Sequence, residues 1–235
     1  MRVVGLTGGI ASGKSTVSKE LRDGSGLPVV DADKIARAAL RKNTPGYRRV
    51  LKIFGKGILL PDGNVDREKL GNIVFADSSQ RKLLDRALGP VIARTMLWDV
   101  LKHWIAGTPV LVLDVPLLFE TGMDRYTSPV VVVWVDADTE EERLIARDGL
   151  SQEQARNRIN SQRSLDWKRE KADVVIDNSG SLELTQQQIQ ELVEKITTAP
   201  LSWKEMLCSR NFVGSVVAVA IASSLCWRLC LKRDA

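Results

Sequence analysis

Residues 8–15 read Gly8-Gly9-Ile10-Ala11-Ser12-Gly13-Lys14-Ser15, which is the pattern G-x-x-x-x-G-K-[ST]. The pattern follows an apolar run at 2–7 and precedes a helix-like stretch, which is the context in which it binds phosphate. Its glycines let backbone N–H groups face phosphate oxygens, and the N-terminus of the next helix adds positive charge. We therefore predict a nucleotide site in which Lys14 contacts the β- and γ-phosphates, Ser15 binds Mg²⁺ and Thr16 donates to phosphate.

Five short valine-rich runs divide the first 180 residues of the chain. They are almost continuously apolar, which is typical of strands buried on both faces of a parallel sheet. Helical stretches separate the runs, so we predict an α/β fold with a parallel five-stranded sheet flanked by helices. Ligands of such sheets bind at the carboxyl ends of the strands. The runs lie at 2–7, 28–31, 110–114, 130–136 and 173–177.

The composition excludes several other classes of protein. The chain has 235 residues and a net charge of +5, but 206–235 hold four bases and one acid, so the rest is nearly neutral. A nucleic-acid-binding groove is therefore not predicted. All three cysteines lie at position 208 or beyond, and there is one histidine. This excludes a disulfide framework before position 208 and a histidine-rich metal site.

Two carboxylates follow predicted strands where phosphoryl transfer needs them. Asp33 is our candidate for the base that accepts the proton of the attacking hydroxyl, although Asp31 or Asp33 could equally cap the helix that begins near Lys34. Asp114 ends the apolar run at 110–113, as the Mg²⁺-binding acid of a Walker B strand does. The alternative for Asp114 is an ordinary strand-terminal aspartate.

The interval at 41–104 is too long for a single crossover helix. It contains a turn-like patch at 60–64, followed by helical material. The last part of the interval places apolar side chains on one helical face. We therefore predict an inserted helical domain at 41–104. The residues of this face are Val91, Trp98, Leu101 and Ile105.

The interval at 139–168 is charged and helical. Thr139-x-x-Glu142 and Ser151-x-x-Gln154 both fit capping boxes, so two helices are predicted to begin there. Small kinases close arginine-bearing helices of this kind over the transferring phosphate, although a solvated charged surface is an equal alternative. Two pairs of side chains share a face at a spacing of four: Arg143 with Arg147, and Arg158 with Gln162.

Seven motifs occur in order between residues 5 and 180. They are G-L-T-G-G-I-A-S-G-K-S-T at 5–16, V-D-A-D at 30–33, G-x-V-D-R-x-x-L-G-x-I-V-F at 63–75, D-x-P-L-L-F-E at 114–120, R-D-G-L-S at 147–151, R-x-x-x-Q at 158–162 and A-D-x-V-I-D-N-x-G at 172–180. In these motifs the sequence resembles the dephospho-CoA kinase family. Its members use ATP to phosphorylate the ribose 3′-hydroxyl of dephospho-CoA, giving CoA and ADP in the last step of CoA synthesis.

The resemblance implies an ATP- and Mg²⁺-dependent P-loop kinase domain at 1–205. Within it, 41–104 would form the helical domain on the CoA side and 139–168 the lid. The resemblance also implies residue roles. These are catalysis by Lys14, Asp33 and Arg147; nucleotide binding by 8–16, Arg143, Asn178 and Gly180; metal binding by Ser15 and Asp114; and acceptor binding by Asp33, Asp66, Arg67, Phe75, Leu117, Arg158 and Gln162.

The sequence departs from the family at one position, and other functions are open to it. Family members often carry His-Pro where this chain has Gly89-Pro90, so any contribution of that histidine to substrate binding is missing. A kinase for another small alcohol or nucleotide is one alternative. A GTP-binding switch would need an Asn-Lys-x-Asp motif, and 177–180 read Asp-Asn-Ser-Gly instead. A membrane scaffold with a vestigial site is disfavoured because 8–15, Asp33 and Asp114 are intact.

The C-terminal tail at 206–235 contains a long apolar stretch. Residues 212–227 carry no charge, and only Arg228 interrupts the run to Leu231. Twenty helical residues span about 30 Å, one hydrocarbon core. We therefore predict a transmembrane helix at 212–231 that anchors the kinase on the cytosolic side of an organelle membrane, either the peroxisome, the mitochondrial outer membrane or the ER. The alternatives are a C-terminal helix packed on the domain and a soluble cytoplasmic protein.

Overall fold

A computed structural model describes residues 1–201 and residue 205. The described chain divides into two compact units. The first unit comprises residues 1–30 together with the described residues from 101 onward, and the second comprises residues 31–100. Each unit has its own core.

The first unit is built on a five-stranded sheet in the order β2-β3-β1-β4-β5. Strand β1 pairs in parallel with β3 and β4, and β4 pairs in parallel with β5. This confirms the α/β class and the parallel sheet flanked by helices. The strands are β1 (Arg2–Gly8), β2 (Val29–Asp31), β3 (Val110–Asp114), β4 (Val130–Trp134) and β5 (Val174–Asp177).

Nine α-helices are described. They are α1 (Lys14–Lys19), α2 (Ala32–Ala39), α3 (Pro45–Phe54), α4 (Arg67–Ala76), α5 (Ser78–Ile105), α6 (Ala137–Asp148), α7 (Gln152–Asn160), α8 (Leu165–Lys171) and α9 (Leu182–Thr198). A π-helical turn at Glu20–Gly24 continues α1, and 3₁₀ turns lie at Lys56–Ile58 and Met123–Tyr126.

The core of the first unit lies where the apolar runs of the sheet meet the helices. All seven residues of β1 are buried, as a central strand between two parallel neighbours should be. Ile189, Leu192 and Ile196 share one face of α9 at the helical spacing and are each 2% exposed. They belong to the same cluster as Val4 and Val131 of the sheet. This packing fixes the strand ends that carry the site.

The second unit is helical around its own apolar cluster. Tyr47 and Val50 of α3 pack with Leu70 of α4 and Leu88 of α5. Helix α3 begins after Thr44, whose side chain accepts a hydrogen bond from the N–H of Tyr47. The predicted turn at 60–64 forms, because Leu60 and Asn64 bond through their backbones around Gly63 at φ +80°.

The predicted apolar face of α5 was wrong at two positions. Trp98 is 56% exposed and Ile105 is 69% exposed. The buried side chains of the helix are instead Ala87, Leu88, Met96 and Val100. The helix also continues through Pro90. The predicted apolar face was therefore rotated about the helix axis relative to the side of α5 that is buried.

The two predicted capping boxes had different outcomes. Ser151 and Gln154 form the box at the start of α7, with each side chain bonded to the other's backbone N–H. The box at Thr139 was wrong, because Asp136 caps α6 and Thr139 donates to it from inside the first turn. An aspartate placed three residues earlier competes better for the orphan N–H groups.

No helix within residues 1–201 and 205 is long and apolar enough to cross a membrane. The predicted C-terminal hydrophobic helix at 212–231 lies outside the described residues.

Candidate active site

The phosphate loop connects the buried strand β1 to helix α1. Gly13, the N-cap of α1, has φ +84°, and Ala11 has φ +59°, so the loop uses left-handed backbone at two points. Thr16 and Val17 both donate backbone N–H groups to the carbonyl oxygen of Gly13. The hydroxyl of Ser12 is buried and finds no hydrogen-bond partner among the described residues. The loop therefore has the form of an anion cradle with one hydroxyl still unsatisfied.

The glycines of the loop are required by close packing. A Cβ atom at Gly13 would lie 2.0 Å from Nδ2 of Asn178. At Gly9 it would lie 2.3 Å from Oε1 of Glu140, and at Gly8 it would lie 2.9 Å from the carbonyl oxygen of Val133. The loop is thus pressed against β4, α6 and the segment after β5. This packing leaves no room for a side chain at these three positions of the loop.

Lys14 and Asp114 meet at the carboxyl end of the sheet. The Nζ atom of Lys14 lies 2.5 Å from Oδ1 of Asp114, and the side chain of Asp114 is 4% exposed. Asp114 ends β3, which lies beside β1, the strand that leads into the phosphate loop. The ion pair therefore follows directly from the strand order. It places the lysine and the predicted metal ligand in one site.

The residues around the loop fit a magnesium ion. Within residues 1–201 and 205, no cluster of three or more His, Cys, Asp or Glu side chains could hold a metal. Mg²⁺ bound with a nucleotide needs only one or two protein oxygens, because phosphates and water complete its shell. Ser15, in the first turn of α1, and the buried carboxylate of Asp114 have the oxygen chemistry that Mg²⁺ prefers.

Asn178 supports the phosphate loop directly. Its Nδ2 donates to the carbonyl oxygen of Ser12 at 2.9 Å, and its Oδ1 accepts from the hydroxyl of Thr185 at 2.9 Å. Both side chains are buried. The resemblance placed Asn178 among the nucleotide-binding residues. In the structure its side chain supports the phosphate loop through the hydrogen bond to Ser12. Gly180 lies exposed two residues later.

A buried charge cluster beneath the loop was missed by the sequence analysis. The Nζ of Lys168 on α8 contacts the carbonyl oxygen of Gly8 and lies 3.1 Å from Oε1 of Glu120. Burial raises the pKa of Glu140 to about 7, partly countered by Lys168 and reinforced by Asp166. Nothing in the sequence distinguishes Lys168 from the exposed Lys171 three residues later.

Two arginines of the predicted lid converge on one carboxylate. Arg147 donates two hydrogen bonds to Asp148, at 2.8 and 3.1 Å, and Arg158 donates to the same group at 2.8 Å. The hydrogen bond from Arg147 is the main cause that lowers the pKa of Asp148. Arg143 lies one turn earlier on α6, and Gln162 follows the end of α7. The structure therefore brings Arg147 and Arg158 together and leaves Arg143 and Gln162 out of this contact.

Comparison with known proteins decides the family of this chain. The model of the dephospho-CoA kinase family matches residues 2–183. A dephospho-CoA kinase of Oryza sativa is 54% identical over 217 residues, which is 92% of this chain and 94% of the relative. A dephospho-CoA kinase of Arabidopsis thaliana is 53% identical over 230 residues, covering 97% and 98% of the two chains. The chain belongs to the dephospho-CoA kinase family.

A solved structure agrees with this assignment. The dephospho-CoA kinase of Campylobacter jejuni superposes with a TM-score of 0.63 at 29% identity, covering 84% of this chain and 98% of the bacterial chain. The likeness therefore extends over most of the fold that carries the site.

The residues predicted to bind the acceptor lie mainly in the second unit of this dephospho-CoA kinase family member. Asp31 caps α2, accepting from the N–H of Lys34 at 2.9 Å, so the capping role belongs to Asp31. Asp33 lies exposed in the first turn of α2. Asp66 caps α4 in the same way, through the N–H of Lys69 at 3.0 Å.

Three further residues that were predicted to bind the acceptor have defined places. Arg67 donates to the carbonyl oxygen of Arg37 at 3.4 Å. Phe75 lies in the last turn of α4. Leu117 follows Asp114 in the first unit and is 42% exposed.

Proposed function

We propose that this protein transfers the γ-phosphoryl group of ATP to the 3′-hydroxyl of dephospho-CoA, giving CoA and ADP. One observation carries the proposal. The chain is 53% identical over 97% of its length to a dephospho-CoA kinase, and its phosphate loop, with Lys14 paired to Asp114, is intact.

The reaction needs a base and a charge-stabilising cradle. In the proposed step the 3′-oxygen attacks the γ-phosphorus, its proton passes to Asp33, and the bond to the β–γ bridging oxygen breaks to release ADP. We assign this role to Asp33, a carboxylate exposed in the first turn of α2. Lys14 at the loop would neutralise charge on the β- and γ-phosphates.

We assign the metal to Ser15 and Asp114. When bound, Mg²⁺ would supply positive charge that offsets the charge of the phosphates. The hydroxyl of Ser15 would be one of its ligands. Asp114 would hold it directly or through water, which requires Lys14 to turn from Asp114 toward the phosphates.

The remaining residues would bind the two substrates. Arg147 is suited to neutralise the transferring phosphoryl group once it leaves Asp148, because it is exposed, whereas Arg158 would contact dephospho-CoA. The helical segment at 41–104 would take the acceptor and 139–168 would act as the lid within a kinase domain at 1–205. Individual contacts would come from Arg143 and Gly180 to the nucleotide, and from Asp66, Arg67, Phe75, Leu117 and Gln162 to dephospho-CoA.

An acceptor and donor panel tests this function. The full chain is incubated with Mg²⁺ and ATP or GTP, with dephospho-CoA, AMP or shikimate as acceptor, and ADP or GDP release is measured. We expect ADP release with dephospho-CoA and ATP, and none from the Lys14→Ala variant. Turnover of AMP or shikimate at the rate of dephospho-CoA would show that the protein is a kinase for another alcohol. Preference for GTP with no acceptor requirement would favour a GTP-binding switch.

We further propose that residues 212–231 anchor the kinase in an organelle membrane. The support is the uncharged run at 212–227 and the extent of the relatives. The Arabidopsis relative is matched across 97% of this chain, whereas the bacterial structure matches 84% of it and 98% of its own length. Extraction of membranes with alkaline carbonate should leave the full chain in the pellet. Its release into the supernatant would overturn the anchor.

A further inference from the structure

The side chain of Lys168 is fully buried beneath the phosphate loop. A lysine is almost never buried unless its charge is paired, because removing an ammonium ion from water costs several kcal/mol. Its neighbour Lys171, on the same short helix, is exposed. The cost of burying Lys168 therefore indicates a specific task at this position.

The ammonium group of Lys168 joins the two loops that frame the site. Its Nζ lies 3.3 Å from the carbonyl oxygen of Gly8 and 3.5 Å from that of Pro116. Gly8 ends β1 and opens the phosphate loop, while Pro116 lies two residues beyond the predicted metal ligand Asp114. The hydroxyl of Thr7 donates to the same Pro116 oxygen at 2.9 Å. These contacts fix the spacing between the loop and the end of β3.

Two carboxylates interact with the ammonium group of Lys168. Glu120 is its ion-pair partner at 3.1 Å, and the side chain of Glu120 is 21% exposed, so water partly screens that carboxylate. Glu140 lies against Gly9, and its carboxyl is half protonated near pH 7 because its pKa is raised to about 7. Removing either carboxylate would therefore leave the ammonium charge of Lys168 less compensated.

We propose that Lys168 is a positioning residue for the nucleoside triphosphate. It strengthens triphosphate binding by holding the phosphate loop, and it does not itself contact the nucleotide. Its ammonium group holds the Gly8 and Pro116 carbonyls and supplies positive charge behind the loop. The inference rests on the proposed function in taking ATP as the ligand. It requires that the charge of Lys168 matter more as the nucleotide carries more phosphates.

Measuring nucleotide affinity directly distinguishes this positioning role of Lys168 from a role in packing alone. Isothermal titration with ATP and with AMP, in the absence of acceptor, is done on the full-length parent and on Lys168→Met, which keeps the volume and removes the charge. We expect the ATP Kd to rise at least about tenfold, since a charge-assisted contact is lost, and the AMP Kd to stay within about twofold. Lys171→Met, the same change at an exposed site on the same helix, should match the parent for both ligands.

Several outcomes would overturn the proposal. An unchanged ATP Kd in Lys168→Met would do so, and so would equal losses for ATP and AMP, which indicate a loosened fold. If Lys168→Met does not fold, Glu120→Gln decides, because it removes the ion-pair partner of the ammonium group and should bind ATP more tightly than the parent. Unchanged or weaker ATP binding by Glu120→Gln would contradict the account. A parent protein that binds ATP but leaves dephospho-CoA unphosphorylated would refute the proposed function and leave this comparison valid.

Discussion

The Nζ atom of Lys14 lies 2.5 Å from Oδ1 of Asp114, so the lysine of the phosphate loop is paired with the carboxylate that ends the neighbouring strand. Both partners are largely buried, at 13% and 4% exposed. The pair holds a cation and a predicted metal ligand together at the site where phosphates would bind. On nucleotide binding the lysine would exchange one anionic partner for another.

Replacing Lys14 should abolish turnover with little loss of folding. Lys14→Met keeps the side-chain volume but removes the cation, so we expect kcat to fall by at least about 10²-fold, the scale of losing one charge-stabilising donor. Steady-state kinetics with ATP and dephospho-CoA measures this. Lys19→Met, an exposed lysine on the same helix, is the control and should keep parental kcat. Equal losses in the two variants would contradict the role of Lys14.

A side chain at Gly13 should damage the phosphate loop. Gly13→Ala adds a Cβ 2.0 Å from Nδ2 of Asn178 at a backbone φ of +84°, so both a clash and conformational strain oppose it. Gly26→Ala is the matched control, since Gly26 has φ +66° and open space around it. Strain alone costs about 1–2 kcal/mol, whereas Gly13→Ala should cost more and also lose ATP binding. Calorimetric Tm and ATP titration compare them, and parental ATP affinity in Gly13→Ala would refute the packing argument.

The stability of the fold and the binding of ATP should both depend on the hydrogen-bond donor of the Asn178 side chain. Asn178→Asp removes the N–H that bonds the Ser12 carbonyl and sets a carboxylate oxygen against it. We expect a loss of about 1–3 kcal/mol in unfolding free energy, the cost of an unsatisfied buried group, together with weaker ATP binding. Urea unfolding measures the loss. The control Thr185→Ser keeps the hydroxyl that bonds Oδ1 and should change stability less; the opposite ranking would contradict this assignment.

Glu140 should make the fold less stable as pH rises. Its pKa is about 7 in the folded protein, against an ordinary value of 4.5, so between these values the folded state holds a proton that the unfolded state has released. The stabilisation is complete below pH 4.5 and is lost as pH rises through 7. Glu140→Gln, which cannot ionise, should therefore gain on the parent with rising pH, by up to about 3 kcal/mol at pH 8.

The difference in Tm between parent and variant at pH 5 and pH 8 tests this. Glu141→Gln is the control of opposite sign, because a hydrogen bond from Arg156 lowers the pKa of Glu141. Its removal should give no gain at pH 8. A pH-independent Tm difference for Glu140→Gln would contradict the burial argument.

Arg147 should matter for turnover and little for folding. Its exposed ion pair with Asp148 contributes about 0–1 kcal/mol, so Arg147→Met should leave Tm nearly unchanged. If it neutralises the transferring group, kcat should fall by about 10²-fold or more. Arg156→Met breaks a similar exposed pair with Glu141 and should leave kcat unaffected. Parental kcat in Arg147→Met would favour the solvated-helix alternative.

The sequence predicted those features that depend on local patterns. The five strands followed from their apolar runs, and the position of the site followed from parallel strands whose carboxyl ends meet at one edge. The direct contact of Lys14 with Asp114 was not predicted. The role of Lys168 could not be predicted, because its burial depends on how α8 packs against the loop. The exposure of Trp98 and Ile105 could not be predicted either, because helical periodicity alone does not determine which side of α5 is buried.

The site of phosphorylation tests the central claim most directly. The full chain is incubated with ATP, Mg²⁺ and either dephospho-CoA or its 3′-deoxy analogue, and the products are identified by ³¹P NMR and mass spectrometry. We predict ADP and CoA in equal amounts, with the new phosphate on the 3′-oxygen, and no phosphorylation of the 3′-deoxy analogue. Phosphorylation of the analogue, or no CoA from dephospho-CoA, would contradict the account.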